Sequence, residues 1–468
     1  HENPKHAEAQ RILGLKKAVM RVPKVMQVTK AHPKFGWKSG KHWTIETPHF
    51  TVETNARAKD CGELGRELEL LHDVWVQVFF PLWSQDRLVA GRFANDEIEF
   101  APKRRFHVVL FKDRDEYAKQ IADAGKAAGL SSGFYSDEQK LSLFFAGPEA
   151  KKSTRYHEVT HQLIQEYLGV KAGVAKDNGI WVVEAAALYM ESLVFGEGYA
   201  LLGGYDAENL QFARFRARGG DFQMPLAQLS GLGREALQEH RDIKKIYGQM
   251  GGLGQFFMEG RDGALRGAFI KTLFDVYQGT AQAETLSQAC GASYDELDRD
   301  YYEFLNVTDA MIERTPPLRS IRGLSLRKTS ATDAGLARFS SCDQIQWLDL
   351  SLTSVGDEGF AGFPASKHLA KLFLEQTKIG DAALAHAAEF SELTELYLSG
   401  TAITDDGVAS LGRLKKLKLL DLQGCPVTDA CLATLATLKQ LESLDVSGTM
   451  ISPAGLAKLK KSLPRLKE

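Results

Sequence analysis

Cysteine is scarce and scattered. The 468-residue chain holds five, Cys61, Cys290, Cys342, Cys425 and Cys431, too few and too dispersed for a disulfide framework. An odd number leaves at least one unpaired or joined to another molecule. Long hydrophobic runs are also missing: nothing approaches the roughly eighteen uninterrupted apolar residues of a membrane-spanning helix. Neither sign of charge dominates. Lys+Arg number 58 against Asp+Glu 60, a formal net charge of −2, so there is no electrostatic case for nucleic acid as the main partner. The apolar and charged fractions, 44% and 25%, exclude disordered and collagen-like classes. The length predicts two or three domains.

The first stretch departs from this balance. Between His1 and Lys41 there are ten Lys/Arg and two acids, Glu2 and Glu8. The charges are scattered, so residues 1–41 read as a solvated basic leader, helical in part, in preference to an arm for membrane or nucleic acid. The sequence opens on His1 rather than Met, and loss of an upstream segment such as a secretory signal is expected. The compartment stays open, with a secreted or periplasmic location placed ahead of a cytoplasmic one.

The C-terminal part is periodic. A unit of 24 residues begins at Ile321 and recurs at Ile345, Leu369, Leu393, Leu417 and Leu441 without an insertion. Each unit follows L-x-x-L-x-L, then a turn, then a short helical stretch, opened by T-D-x-G at Thr332 and Thr404. Leu393, Leu396 and Leu398 are expected to point inward from a strand, with Ile403, Val408 and Leu411 returning from the turn and helix. No single unit covers such an apolar face, so neighbours must stack into a solenoid. Residues 321–464 resemble leucine-rich repeats. Pro316–Pro317 stiffen the approach and place a domain boundary near Thr315, giving domains 42–315 and 316–468. The outward strand positions Trp347, Asp349, Phe373, Glu375, Tyr397, Asp421 and Asp445 mix aromatics and acids along the expected concave side. Trp347, Phe373 and Tyr397 are candidate contacts for a protein partner; an ordinary solvated surface is the alternative.

The N-terminal half alternates strand and helix grammar, an α+β arrangement. His49–Thr54 and Arg105–Phe111 read as strands, Ala56–Phe80 and Asp113–Ala124 as helices, and Gly133–Phe145 as a hairpin turning at Asp137–Gln139. Two further helices are expected over Thr154–Leu168 and Trp181–Phe195.

Within the first of these lies His157-Glu158-Val159-Thr160-His161, an H-E-x-x-H motif. Residues four apart share a helix face, so both imidazoles can reach one metal ion, with Glu158 beside it as a proton acceptor. Zinc requires a third protein ligand. The metzincin extension is excluded, because Ile164 and Tyr167 stand where it would carry Gly and His. Glu184, 23 residues after His161 in an otherwise apolar helix, is the candidate, since a buried carboxylate needs a partner. Glu191, two turns on, could orient a ligand from behind. The competing readings are satisfied core histidines, a Glu184 ion pair, and Glu191 as a surface acid.

The segments HWTIETPHFTVETN, FHVVLFKDRDEY, GFYSDEQKLSLFF, HEVTH and WVVEAAALYME together resemble the peptidase-MA-like gluzincins, a family frequent in bacterial proteins, over about His42 to Leu305. The resemblance implies a zincin-like fold, one zinc per chain held by His157, His161 and Glu184, and Glu158 as general base. It also implies hydrolysis of a protein or peptide substrate, with Tyr247 as an electrophilic partner of the metal; a core or surface tyrosine is the competing reading. Lys140–Gly147 is the candidate edge strand for substrate addition. One departure is Ala185, where the family carries Gly. Two alternatives are carried forward: a catalytically silent zincin domain in a repeat-based interaction scaffold, and a site covered by the repeats until a partner binds.

Overall fold

The computed structural model describes residues 23–83, 104–122, 132–170, 173–196, 199–314 and 321–467. The chain forms two compact units. The first takes the described residues within 1–203, 225–243 and 257–297, and the second those within 204–224, 244–256 and 298–467. The expected division lay at residue 315, and the packing groups residues 204–224 and 244–256 with the repeats. The units interleave, because two internal segments of the N-terminal half pack with the repeats. The Pro316–Pro317 boundary itself, like residues 1–22 of the leader, lies outside the described residues.

The first unit is built on a six-stranded sheet of β1 (Met26–Gln27), β2 (Trp43–Glu46), β3 (Phe50–Thr54), β4 (Phe106–Phe111), β5 (Gly133–Ser136) and β6 (Leu141–Phe145), in the order β1-β2-β3-β4-β6-β5. Strands β3, β4 and β6 run parallel, with Val52 beside Val108 and Val109 beside Leu143. β5 returns antiparallel to β6. Strand β6, flanked on both sides, has all five residues buried. The expectation that Lys140–Gly147 forms the edge is therefore corrected: β5 is the edge. Of the leader, residues 23–41 are described. Residues 23–41 contain no described helix; β1 pairs with β2, and Phe35 and Trp37 are buried against Phe111 at ring distances of 5.2 and 5.8 Å.

Helix α1 (Ala58–Val78) buries Leu64, Leu68, Leu71 and Trp75 along one stripe, the helical repeat of a core-facing surface. Trp75 stacks on Tyr167 at 5.2 Å, which joins α1 to α2 (Lys152–Leu168). Helix α2 ends at Gly169 in the left-handed conformation, φ +66, a conformation that suits glycine. Helix α3 (Ile180–Met190) packs against α2 and is apolar on every side, with Glu184 its single charged residue. It stops earlier than expected. Val194–Gly196 pair instead with Tyr199–Leu201 as a small hairpin, and the Ser192 hydroxyl accepts the N–H of Gly203 at its base.

In the second unit, β7 (Gly323–Ser325), β8 (Trp347–Asp349), β9 (Lys371–Phe373), β10 (Glu395–Tyr397), β11 (Leu419–Asp421) and β12 (Ser443–Asp445) form one parallel sheet in sequence order. Each residue pairs with the one 24 positions on, for example Leu372 with Leu396. Leu393, Leu396, Leu398, Ile403, Val408 and Leu411 are all fully buried. The stack begins half a unit earlier than the periodicity indicates: Val307 and Ile312 belong to the same core. Helix α4 (Glu208–Gly219) is also part of this unit, and its Arg214, 0% exposed, donates to the carbonyls of Tyr205, Leu305 and Ser325.

Candidate functional site

Helix α2 places His157 and His161 one turn apart on the face toward α3, where Glu184 meets them. Their Nε2 atoms lie 3.1 Å apart, and Glu184 Oε2 is 3.4 Å from Nε2 of His157 and 3.8 Å from that of His161. A triangle with these sides has a circumradius of about 2.0 Å, so one point lies about 2.1 Å from all three atoms, the length of a zinc bond to nitrogen or oxygen. Glu191, just past the end of α3, has its Oε1 2.8 Å from Nδ1 of His157, on the far side of the ring. Glu158 accepts the backbone N–H of Tyr135 from the edge strand β5 at 2.9 Å.

Burial governs the charges here. It opposes protonation of His157, but the carboxylates of Glu184 and Glu191 overcome it and raise that imidazole well above its ordinary value. His161 is pushed down to about 3 by burial, against the pull of Glu184. Burial likewise opposes charge on Glu184, yet its hydrogen bond to His157 and the nearby imidazoles hold it at about 2. Glu158 is pushed up to about 7, chiefly by burial and against His157.

The structure thus brings together His157, Glu158, His161, Glu184 and Glu191. Tyr247 is half-buried on α5 (Ile243–Glu259). Two residues missed from the sequence lie near the cluster. The charge of Arg234 acts on both His161 and Glu184, and Tyr277, on α6 (Arg266–Gln278), is close enough to feel Glu184. Their separation along the chain and the lack of any motif around them leave no signal by which the sequence could have marked them.

The outward row of the repeats also departs from expectation. Phe212 and Phe215, three apart on α4, lie 5.4 and 5.9 Å from Trp347, and Phe215 is 5.3 Å from Phe373. Trp347 and Phe373, expected to face a partner, are therefore half-covered by the chain's own helix. Tyr397 stacks on Phe373 at 4.5 Å and is half-buried. Only further along does the row open, at half-buried Asp421 and exposed Asp445.

Residues 392–412 match the family described as Leucine Rich repeat. The C-terminal repeats are leucine-rich repeats. Among solved structures, the chain is similar to an internalin C2 from Listeria monocytogenes, at 22% identity over 34% of this chain and 72% of that one, with a TM-score of 0.25. It is similar also to internalin F of the same species, at 20% identity over 31% of this chain and 45% of that one, with the same TM-score, 0.25. No curated protein matches the sequence. Among the described residues no helix is long and apolar enough to cross a membrane.

Proposed function

We propose that the first unit is a zinc-dependent hydrolase of peptide bonds and that the leucine-rich repeats bind a protein substrate or partner. One observation carries the first part: two imidazole nitrogens and a carboxylate oxygen, from two packed helices, converge around a single point. That donor set and spacing fit a catalytic zinc site, which uses three protein ligands and keeps a fourth position for water. A zinc ion held there would supply a Lewis acid that activates water and polarises the scissile carbonyl.

The chain's own residues have separate tasks. The Glu191 carboxylate, 2.8 Å from Nδ1 of His157, holds that side of the ring and leaves Nε2 to the metal. Glu158 follows His157 and so stands beside the ligand face. The N–H of Tyr135 orients one of its oxygens, leaving the other to take a proton from water and pass it to the leaving amine. Burial pushes its carboxyl up to about 7, which suits a base that must both take and return that proton near neutral pH.

The test is the zinc content of the dialysed protein beside its Glu184→Ala variant, followed by peptide cleavage with Glu158→Gln. Near one zinc per chain, lost in Glu184→Ala, is expected. Glu158→Gln should keep zinc and lose turnover, and His161→Ala should lose both. A parent that takes no zinc after refeeding, or a fully active Glu158→Gln, would sink the reading. A second reading, a silent domain in an interaction scaffold, is favoured by how enclosed the cluster is. The side chains of His157, His161 and Glu184 are only 10%, 14% and 13% exposed. A zinc-loaded parent that cleaves no peptide would favour it.

A further inference from the structure

Arg234 stands beside the metal-ligand helices, and backbone hydrogen bonds fix its place. The segment that carries it is tied to the start of α3. The Gly179 N–H donates to the Ser230 carbonyl at 3.1 Å, and the Ile180 N–H to that of Leu232 at 3.4 Å. Glu184 follows Ile180 by one helical turn on the same face, a step of roughly 6 Å along the axis. Arg234, two residues past Leu232, therefore sits toward the end of α3 opposite to Glu191. On its other side the Arg234 N–H donates to the Ala175 carbonyl at 2.9 Å. Gly233 packs so close to this loop that a Cβ would meet the Lys176 carbonyl oxygen at 2.0 Å.

The side chain is tethered as well. Its Nε donates to the Val174 carbonyl at 3.2 Å, which leaves the two terminal amino groups of the guanidinium, side by side in one plane, as an open fork. Arg234 is half-buried, and among the described residues no carboxylate forms an ion pair with it. Its charge nevertheless reaches the ligands, acting on Glu184 and His161. Glu184 does not answer it, because that carboxylate is turned to the two imidazoles, 3.4 and 3.8 Å away. Charges drawn out of water are ordinarily paired, and a planar guanidinium fork matches a carboxylate through two parallel hydrogen bonds.

We infer that Arg234 receives a carboxylate of the peptide substrate while the scissile bond lies at the site of His157, His161 and Glu184. That carboxylate is either the chain terminus or an aspartate or glutamate side chain. The inference rests on the hydrolase reading.

The test is calorimetry on the full chain, refed with zinc, using the monohydroxamates of succinic, glutaric and adipic acids, each beside its terminal amide. The hydroxamate anchors every probe at the metal, and the three lengths vary how far the carboxylate reaches. At one length at least, the acid should bind about tenfold more tightly than the amide, the worth of one charged hydrogen bond. Arg234→Gln should erase that gap, and Arg234→Lys, which keeps the charge without the fork, should narrow it. Each gap is a ratio within one variant, so a general loosening of the loop cancels. Equal binding of acid and amide at all three lengths, or a gap that survives Arg234→Gln, overturns the inference. If Arg234→Gln does not fold, a gap of parental size in Arg234→Lys overturns it. A chain that takes up no zinc sinks the hydrolase and this inference with it. Hydroxamate binding without preference for the acid sinks this inference alone. Cleavage of N-acetylated random peptides by the parent then assigns the source. Loss of cleavage on amidation of the C-terminus marks the chain terminus, and cleavage kept beside aspartate or glutamate marks the side chain. Cleavage indifferent to both overturns the inference.

Discussion

Asp349 lies fully buried at the covered end of the outward row, and its surroundings make the stability of the repeats depend on pH. The Ser351 N–H donates to it at 3.0 Å and the Ser325 hydroxyl at 3.2 Å, while Arg327 stands 3.6 Å away. Burial outweighs these partners and pushes the carboxyl up from 3.8 to about 6. A carboxyl raised on folding contributes stability that is fully present below its unfolded value and is lost as pH rises through the folded one. The repeats should accordingly weaken between pH 4 and 7 by up to about 2 kcal/mol from this group. Asp349→Asn keeps the acceptor for Ser351 and removes the titration. In urea unfolding followed by Trp347 fluorescence, the variant should gain on the parent as pH rises from 4 to 7. A difference that does not change with pH would contradict this account. Nothing in W-L-D-L-S marks Asp349 as different from Asp421 or Asp445; the helix that covers its end of the row lies more than a hundred residues upstream.

At the scale of elements, the T-D-x-G signature has a mechanical meaning. The threonine caps its own helix: the side chains of Thr332, Thr404 and Thr428 accept from Ala334, Asp406 and Ala430. The aspartate reaches the next unit. Asp381 accepts the N–H of Thr404 at 2.8 Å and its hydroxyl at 2.6 Å, and Asp405 does the same for Thr428 at 2.9 and 2.6 Å. The glycine leaves space for the aspartate of the unit before it, since a Cβ on Gly407 would meet Asp381 Oδ1 at 2.2 Å. Asp357 faces Gly380, which offers only its N–H, at 2.7 Å. Asp381→Ala should therefore cost about 1–2 kcal/mol of repeat stability and Asp357→Ala about half as much, a difference that isolates the hydroxyl bond. Equal losses in denaturant unfolding would mean that the ladder is not what joins the units. This much was legible, because a 24-residue period brings the same three residue types into contact again and again. The closeness of His157 and His161 was legible for a similar reason, since helix geometry alone places the two together. The sheet order was not. The run K-L-S-L-F-F looks the same at an edge as in the middle, and only the pairing of β6 with both β4 and β5 distinguishes the two. Tyr277 was hidden as well, since it comes close to Glu184 from a separate helix and no motif surrounds it.

Over the whole molecule, the repeat boundary drawn from periodicity and the boundary drawn from packing disagree, and the disagreement has an energetic content. Terminal units of a solenoid need a cap, because each exposes the face its neighbour would cover. Here Val307 and Ile312 close the core at the first unit, and the Asp309 carboxylate accepts the N–H of Thr332 at 2.8 Å as the first rung of the ladder. Helix α4 then adds Phe212 and Phe215 over Trp347, and the buried guanidinium of Arg214 satisfies the carbonyls of Leu305 and Ser325. A fragment of residues 316–468 keeps the six regular units and loses all of this. Trp347 and Phe373 would stand exposed, the Ser325 carbonyl would lose its buried donor, and the first core layer would open to water. Each such loss is worth about 1–3 kcal/mol. The fragment should unfold at a clearly lower urea concentration than the same repeats in the full chain, read by Trp347 fluorescence, and should bind a hydrophobic dye. A longer fragment, residues 298–468, restores Val307, Ile312 and Asp309 but not α4, and its midpoint should fall between the two. If residues 316–468 unfold at the midpoint of the full chain, the segments upstream of Pro316 are accessories to the repeats rather than part of their fold.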